Sequence, residues 1–398
     1  MKMFVQQKFV RIAVIAVTVV LMVFGLAMMG SVLGAKPQGL PIALVVLDKP
    51  AELPTGGELA AGGMVKEKVT GLAQLPVKWK VLGTEGEAAA AMDRQEVYGA
   101  LVLPADFSAG LLSIQSPEPK PSTVKLYYNE GMSAQGVAAA KSILQQVAKN
   151  VSAELSAQLL EQVGQRVQQI SVGSVHALLA PFGTQEISVH PVGSNNGGGS
   201  APNMLTQIIW MGCLVMSVLL FFASKAATVH GGRRSAVAGQ TVIGLALAAG
   251  ASGFLVWMAH SWYGMEIADQ STTWLFLWLA ASAFFLMQTA LFNWIGIPAV
   301  AILVLLLFFS LPVLNLAPEF MPQATQDWLY SWTPFRYVAS GLRNLMYFGG
   351  EHGMGLSYGV LWGIAGVSLA AVLASALRKG RVQFAAGGSA GAAPAQAR

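Results

Sequence analysis

Two clusters of side chains carry chemistry beyond apolar packing. The first is a basic stretch at 225–236 that contains Lys225, His230, Arg233 and Arg234 and no carboxylate. Guanidinium groups pair with carboxylates and phosphates, so this stretch suits either docking of a cytosolic partner or retention of a loop on one side of a membrane. The second, at 317–354, sets Trp328, Trp332, Pro334 and Tyr337 among Arg336 and Arg343. Trp, Tyr and Arg collect where hydrocarbon meets water. It is expected to form an amphipathic or re-entrant element lying in the outer interface, where its residues either have a role of their own or only anchor the chain. Neither cluster offers a nucleophile beside a base, so no catalytic residue is expected. No G-x-x-x-x-G-K-S/T, H-E-x-x-H or G-x-S-x-G is present, and the five histidines are scattered. No cofactor or metal is expected, and the lone Cys213 within an apolar run reads as a small buried hydrophobe.

The elements that must hold these clusters are mostly apolar. Hydrophobic residues make up 54% of the chain and charged ones 11%, outside the soluble norm. Six apolar segments, near 12–35, 202–224, 237–259, 274–293, 297–316 and 355–377, contain no charge. Crossing a bilayer takes roughly 20 such residues. With the N-terminus inside, the cytosolic pieces carry Lys and Arg only, and all 19 acidic residues fall outside. That is the positive-inside pattern, and it predicts six transmembrane helices with both ends in the cytosol. It also accounts for a pI near 9.3 without nucleic acid as a partner. The first run is longer than the roughly 7–15 residues of a signal h-region and is expected to stay as an anchor over 1–35.

Residues 36–192 predict an extracytoplasmic α/β domain. Strands are expected at 41–47, 77–81, 97–103, 123–128 and 187–192, with helices near 58–73, 85–95 and 106–112 between them, so a small, mostly parallel sheet follows. From 133 to 179 the apolar residues Leu144, Val147, Val151, Leu155, Leu159, Val163, Val167 and Ile170 recur at a helical step. They predict one long helix or a broken pair, covered by the sheet or by a second copy of the chain. The Gly/Ser/Asn run at 193–201 reads as a flexible linker. A five-helix membrane domain follows over 202–378, with a small-residue face at Gly244, Gly250 and Gly253. Trp257, Trp262, Tyr263 and Trp274 form an aromatic belt, and 379–398 is a disordered cytosolic tail.

Three segments carry a resemblance. They are Leu40-Pro-Ile-Ala-Leu-Val-Val-Leu-Asp48, Val97-Tyr-Gly-Ala-Leu-Val-Leu-Pro-Ala-Asp-Phe-Ser108, and Ala317-Pro-Glu-Phe-Met-Pro322 leading to Trp332-Thr-Pro-Phe-Arg-Tyr-Val-Ala-Ser-Gly-Leu-Arg343. In this order, after one anchor and before five spans, they resemble the ABC-2 type permease superfamily and, within it, the YhgE/Pip (phage infection protein) branch. The resemblance implies a multi-pass subunit of an exporter in a bacterial cell membrane, usually a homodimer, served by a separate cytosolic ABC ATPase. An amphiphilic or lipid-like substrate fits that expectation. The alternative is a non-transporting surface protein, of phage-receptor or secretion-accessory type, acting through its external domain.

Overall fold

The computed structural model describes residues 37–53, 57–71, 75–116, 118–164 and 172–378, without the side chains at 162–164, 172–173, 229–231, 313 and 328–329. The expected anchor over 12–35 and tail over 379–398 lie outside the described residues. The chain builds an α/β domain followed by a helical bundle.

The domain centres on a five-stranded sheet in the order β4-β1-β5-β6-β7. Strand β1 is Leu40–Val46, β4 is Val77–Leu82, β5 is Gly99–Leu103, β6 is Thr123–Asn129 and β7 is Gly183–Val189. A two-stranded ribbon, β2 (Ala51–Glu52) and β3 (Glu58–Leu59), stands apart. Strand β1 runs parallel to β4 and β5, and β6 is parallel to β7. Only β5 and β6 are antiparallel, so the sheet is mostly parallel as expected. Alternation sorts the apolar residues. Leu40, Ile42, Leu44, Leu101 and Leu103 face a core with helix α1 (Ala61–Gly71) and helix α4 (Ala134–Gly164). Ala43, Val45, Ala100 and Val102 face helix α2 (Glu85–Asp93), where Ala88, Ala91 and Met92 let it sit close. Strand β5 is buried throughout, which explains its unbroken apolar run.

One boundary differs from expectation. The last strand runs over Gly183–Val189 and not 187–192, because it pairs with β6 from Thr123↔Gly183 onward and His190 then turns to positive φ. The described residues of 133–179 form α4 and α5 (Val172–Leu179), in keeping with the expected helix or pair. The sheet takes the first half of the stripe: Leu144, Val147 and Val151 are buried in its core, while Leu155 and Leu159 pack partly against it. Val163, Val167 and Ile170 fall outside the described side chains.

The bundle contains α6 (Ala201–Gly231), α7 (Arg233–Ser261), α8 (Gln270–Ile295), α9 (Ala299–Asn315), α10 (Pro334–Tyr347) and α11 (Met354–Ser375). Among the described residues four of these, α6, α7, α8 and α11, are long and apolar enough to cross a membrane, which makes this a membrane-embedded, mostly helical protein. The expected span at 297–316 corresponds to α9, a shorter apolar helix of 17 residues with Pro312 inside its last turn. At ~1.5 Å per residue it reaches about 26 Å, at the lower end of what a bilayer core takes. Helix α6 turns an apolar face outward: Ile208, Met211, Val215, Leu219 and Phe222 are all exposed at helical spacing, an arrangement suited to lipid. Inside, Trp210 packs between Phe284 and Phe335 at 4.9 and 4.5 Å between ring centroids, tying α6, α8 and α10 together. Gly244 leaves room for the Phe285 ring and Gly253 for Trp274, so two of the three expected small residues serve close approach of α7 to α8. Nothing crowds Gly250.

One polar knot holds the domain's first loops. Asp48, just past β1, accepts from Gly62 N at 2.7 Å, Ser108 N at 2.8 Å and Ser108 Oγ at 2.6 Å, while Ser108 Oγ accepts from Ala61 N at 2.9 Å. Orphan amides at the starts of α1 and α3 (Phe107–Ser113) are thereby satisfied. A carboxylate accepting several such bonds is worth more than a neutral acceptor. Replacing Asp48 with Ala should destabilise the domain by about 3 kcal/mol, with Asp48→Asn intermediate. Faster hydrogen exchange at 61–65 and a lower thermal midpoint are the measurements; unchanged exchange would show that the knot is dispensable.

Candidate functional site

The seam between domain and bundle is where polar groups converge. Tyr98, one residue before β5, reaches across the seam and donates its hydroxyl to Glu319 Oε2 at 2.9 Å. Glu319 lies in a single 3-10 turn, Pro318–Phe320, that follows α9. Its backbone carbonyl accepts from Gln38 N at 2.9 Å, so the approaches to β1 and β5 are both pinned to this turn. Gly136 of α4 lies under the Tyr98 ring, where any Cβ would collide. Ala317 and Phe320 belong to the domain's own apolar core, so the seam is continuous packing and not a loose hinge. A second contact lies further along. His190 Nδ1 is 2.9 Å from Asn129 Oδ1, its Nε2 is 3.1 Å from Asp93, and its ring rests on Phe348 at 4.4 Å.

Behind the Tyr98–Glu319 bond is a cavity of about 210 Å³. Asn203, in the first turn of α6, and Leu314, at the end of α9, form its floor, and Tyr98, Met132 and Ser133 form its roof. Arg336, Arg343 and Tyr330 line its wall. Arg343 Nη2 lies 3.4 Å from Asn203 Oδ1, a long contact, while its Nε is buried with no partner. Asn203 is itself held by donation to the Leu314 carbonyl. Arg336 stacks on Tyr330 at 4.4 Å and on Tyr337 at 4.5 Å, with Tyr337 fixed by its hydroxyl donating to the Ser331 carbonyl at 3.0 Å. Among the described residues no carboxylate lies within ion-pair distance of either guanidinium.

The predicted outer cluster is therefore split in role. Arg343 faces the cavity, and Tyr337 holds Arg336 against it. Pro334 starts α10 from a buried position, where its missing N–H is harmless. Trp332 is 57% exposed and points away from the core. Trp328 belongs to a single π turn, Gln326–Tyr330, with its side chain outside the described set. The expected amphipathic element is present as α10, which buries Phe335, Val338, Ala339 and Leu342 along one face. Tyr98, Glu319 and Asn203 were not foreseen as site residues. Tyr98 and Glu319 do lie inside the two segments that carried the resemblance, which was the available signal.

At the far end of the bundle the predicted basic loop is almost no loop. Helix α6 runs through Lys225 to Gly231, and α7 begins at Arg233, with only Gly232 at φ +79° between them. That reversal needs a residue tolerant of positive φ. Arg233 Nε donates to the Ser375 carbonyl at 2.8 Å and so ties α7 to the last turn of α11. Lys225 sits over Phe221 at 4.7 Å, and Arg378 over Trp294 at 4.9 Å. Arg234 is exposed, and the His230 side chain lies outside the described set. The expected linker at 193–201 is also tied down: Ser194 N and Asn196 Nδ2 donate to Glu266 at 3.0 Å each, and Asn195 Nδ2 to the Gly264 carbonyl at 3.2 Å.

Burial, together with the neighbouring Glu319, holds the Tyr98 phenol well above the usual tyrosine range. The neutral phenol is thus the form the fold keeps. Its contribution is fully present below about pH 10, the unfolded value, and is lost as pH rises through the folded one. Tyr98→Phe should lower stability at neutral pH by about 1–2 kcal/mol and flatten the alkaline fall in thermal midpoint; an unaltered alkaline limb would remove Tyr98 from that role. Separately, Arg233→Gln should speed exchange at the end of α11 while Arg234→Gln should not, and equal effects would contradict the Ser375 tie.

No curated protein matches the chain, and no solved structure does. A family model described as "Protein of unknown function (DUF3533)" matches residues 13–370, spanning both the α/β domain and the bundle. The chain belongs to that family.

Proposed function

We propose that the chain is the ABC-2-type, permease-like membrane subunit of an export system for an amphiphilic or lipid-like substrate, dimeric and energised by a separate cytosolic ATPase. In this reading six helices cross the cell membrane: the four long ones, the shorter α9, and the 12–35 segment. The α/β domain is extracytoplasmic, and both ends are cytosolic. Charge supports that orientation. Glu266, Asp269 and Glu319 lie at the end of the bundle that carries the domain, and Lys225, Arg233, Arg234 and Arg378 lie at the other. The YhgE/Pip resemblance gains support from the contacts among its three segments, through Asp48 with Ser108 and Tyr98 with Glu319.

The observation that carries the export reading is the seam cavity. A polar chamber is roofed by a domain built for water and floored by helices built for lipid, and there an amphiphile changes environment. Dimerisation is supported by α11, where Gly355, Gly359, Gly363 and Gly366 form an exposed, uncrowded stripe suited to close helix contact. A second reading, a non-transporting surface protein that binds a partner through its external domain, is favoured by the exposed Leu160, Val175 and Leu179 on α4 and α5.

Because Arg233 holds α11, Lys225 and Arg234 are the better probes of docking. A pulldown of the tagged full-length protein in nanodiscs should bring down a stoichiometric ATPase, and Lys225→Glu with Arg234→Glu should cut its recovery at least about tenfold, some 1.4 kcal/mol. A dimer that brings only extracytoplasmic partners, with unchanged export on deletion, would sink the permease reading in favour of the surface protein.

A further inference from the structure

We infer that the seam cavity is a binding site for a singly charged oxyanion headgroup, a phosphodiester or carboxylate, held by Arg343 and Arg336. This deepens the export reading, on which its biological sense rests, by naming the part of the substrate that the chain grips.

The argument starts from an unpaid charge. Arg343 lies deep among surrounding atoms, and burial pulls its pKa below the usual arginine range, yet arginine stays protonated in proteins. A charge so placed is costly unless it is paired. Among the described residues Nε has no partner, and Nη2 has the long contact to the neutral Asn203. Arg343 retains some accessible surface and lines the cavity. A guanidinium offers a planar fork that fits carboxylate or phosphate oxygens in pairs. An incoming oxyanion therefore completes what the fold leaves open. Arg336, its plane held between two tyrosine rings, supplies a second cation on the same wall.

Charge and size then narrow the ligand. The cavity wall carries Arg336 and Arg343 against Glu319, and the Glu319 carboxylate is already occupied by the Tyr98 hydroxyl. The local excess is a single positive charge, which favours a monoanion over a phosphomonoester dianion. About 210 Å³ is less than the roughly 300–1,000 Å³ that encloses a whole drug-sized ligand. The chamber accommodates a headgroup, not acyl chains. Depth agrees: the floor residues Asn203 and Leu314 lie at the ends of apolar helices, the level at which lipid headgroups sit.

The test is lipid retention by full-length protein in native mass spectrometry, after exchange into nanodiscs holding equal phosphatidylglycerol and phosphatidylethanolamine. Wild type should retain phosphatidylglycerol in preference. Arg343→Gln should lose that preference by roughly ten- to a hundredfold, Arg343→Lys should lose less, and Glu319→Gln should strengthen it. Inorganic phosphate is the second probe. Displacement of the lipid by phosphate at matched ionic strength would make a free oxyanion sufficient, and its failure would make the lipid anchor necessary; both keep the headgroup chemistry. Equal retention of the two lipids by wild type would overturn the inference. So would unchanged selectivity in a folded Arg343→Gln protein, or weaker retention in Glu319→Gln. Should Arg343→Gln not fold, the Lys and Glu319→Gln variants decide alone. No ATPase or transport enters the assay. A protein that selects anionic lipid yet recruits no ATPase therefore fails the export reading only, and one that recruits an ATPase without selectivity fails this inference only.

Discussion

The hydrogen bond from Tyr98 to Glu319 joins residues 221 positions apart in the chain and determines how the two halves of the molecule meet. The Tyr98 hydroxyl is buried and would be costly without a partner, which the part-buried Glu319 carboxylate supplies. Their pairing sets β5 over the end of α9, and Gly136 is needed beneath the ring so that α4 can lie across it. The Gln38 amide closes on the same turn. Apolar contacts complete the docking around them, with Phe320 inside the domain core and Phe348 against His190. A domain that would otherwise hang from a glycine-rich tether is thereby docked.

That docking creates the cavity, and with it the tension of the structure. Two other charged groups find close partners: Asp48 accepts from three donors, and Arg233 donates to a carbonyl. Arg343 does not. Its neighbours are tyrosines and an asparagine that can orient a guanidinium without neutralising it. Folded structures rarely leave such a group unanswered, so the seam is where a ligand has most to offer. The basic far end has a different character. There Arg233 ties a helix end and Lys225 and Arg378 lie over aromatic rings, so three of the described cations have partners within the chain.

Much of the architecture was legible in the primary structure because its signals are local. Strand β5 read as buried on both faces from its unbroken apolar run, and α10 as amphipathic from its mixed aromatic and charged composition. Spans α6, α7, α8 and α11 followed from length and hydropathy. The less accurate boundaries were those set by partners. Strand β7 begins at Gly183 because β6 offers a register there, although Gly183–Glu186 carries no strand-like pattern. The 193–201 segment looks like a free linker in composition but is held by Glu266 and Gly264, which are distant in sequence.

The candidate site divides the same way. Composition and spacing alone determined that this is a membrane-embedded chain, that the basic stretches at 1–35, 225–236 and 378–398 hold no carboxylate, and that Arg343 sits among aromatics near the end of the apolar segments. Only the tertiary structure decided that Arg343 faces a cavity while Trp332 does not, that Arg233 is a helix tie while Arg234 is free of that duty, and that Tyr98 and Glu319 share one bond. The physical reason is range. Hydropathy and helical period act over one or two turns and are written in adjacent residues, whereas satisfaction of a buried charge depends on which distant groups the packing brings within about 3 Å. No spacing rule along the chain encodes that distance.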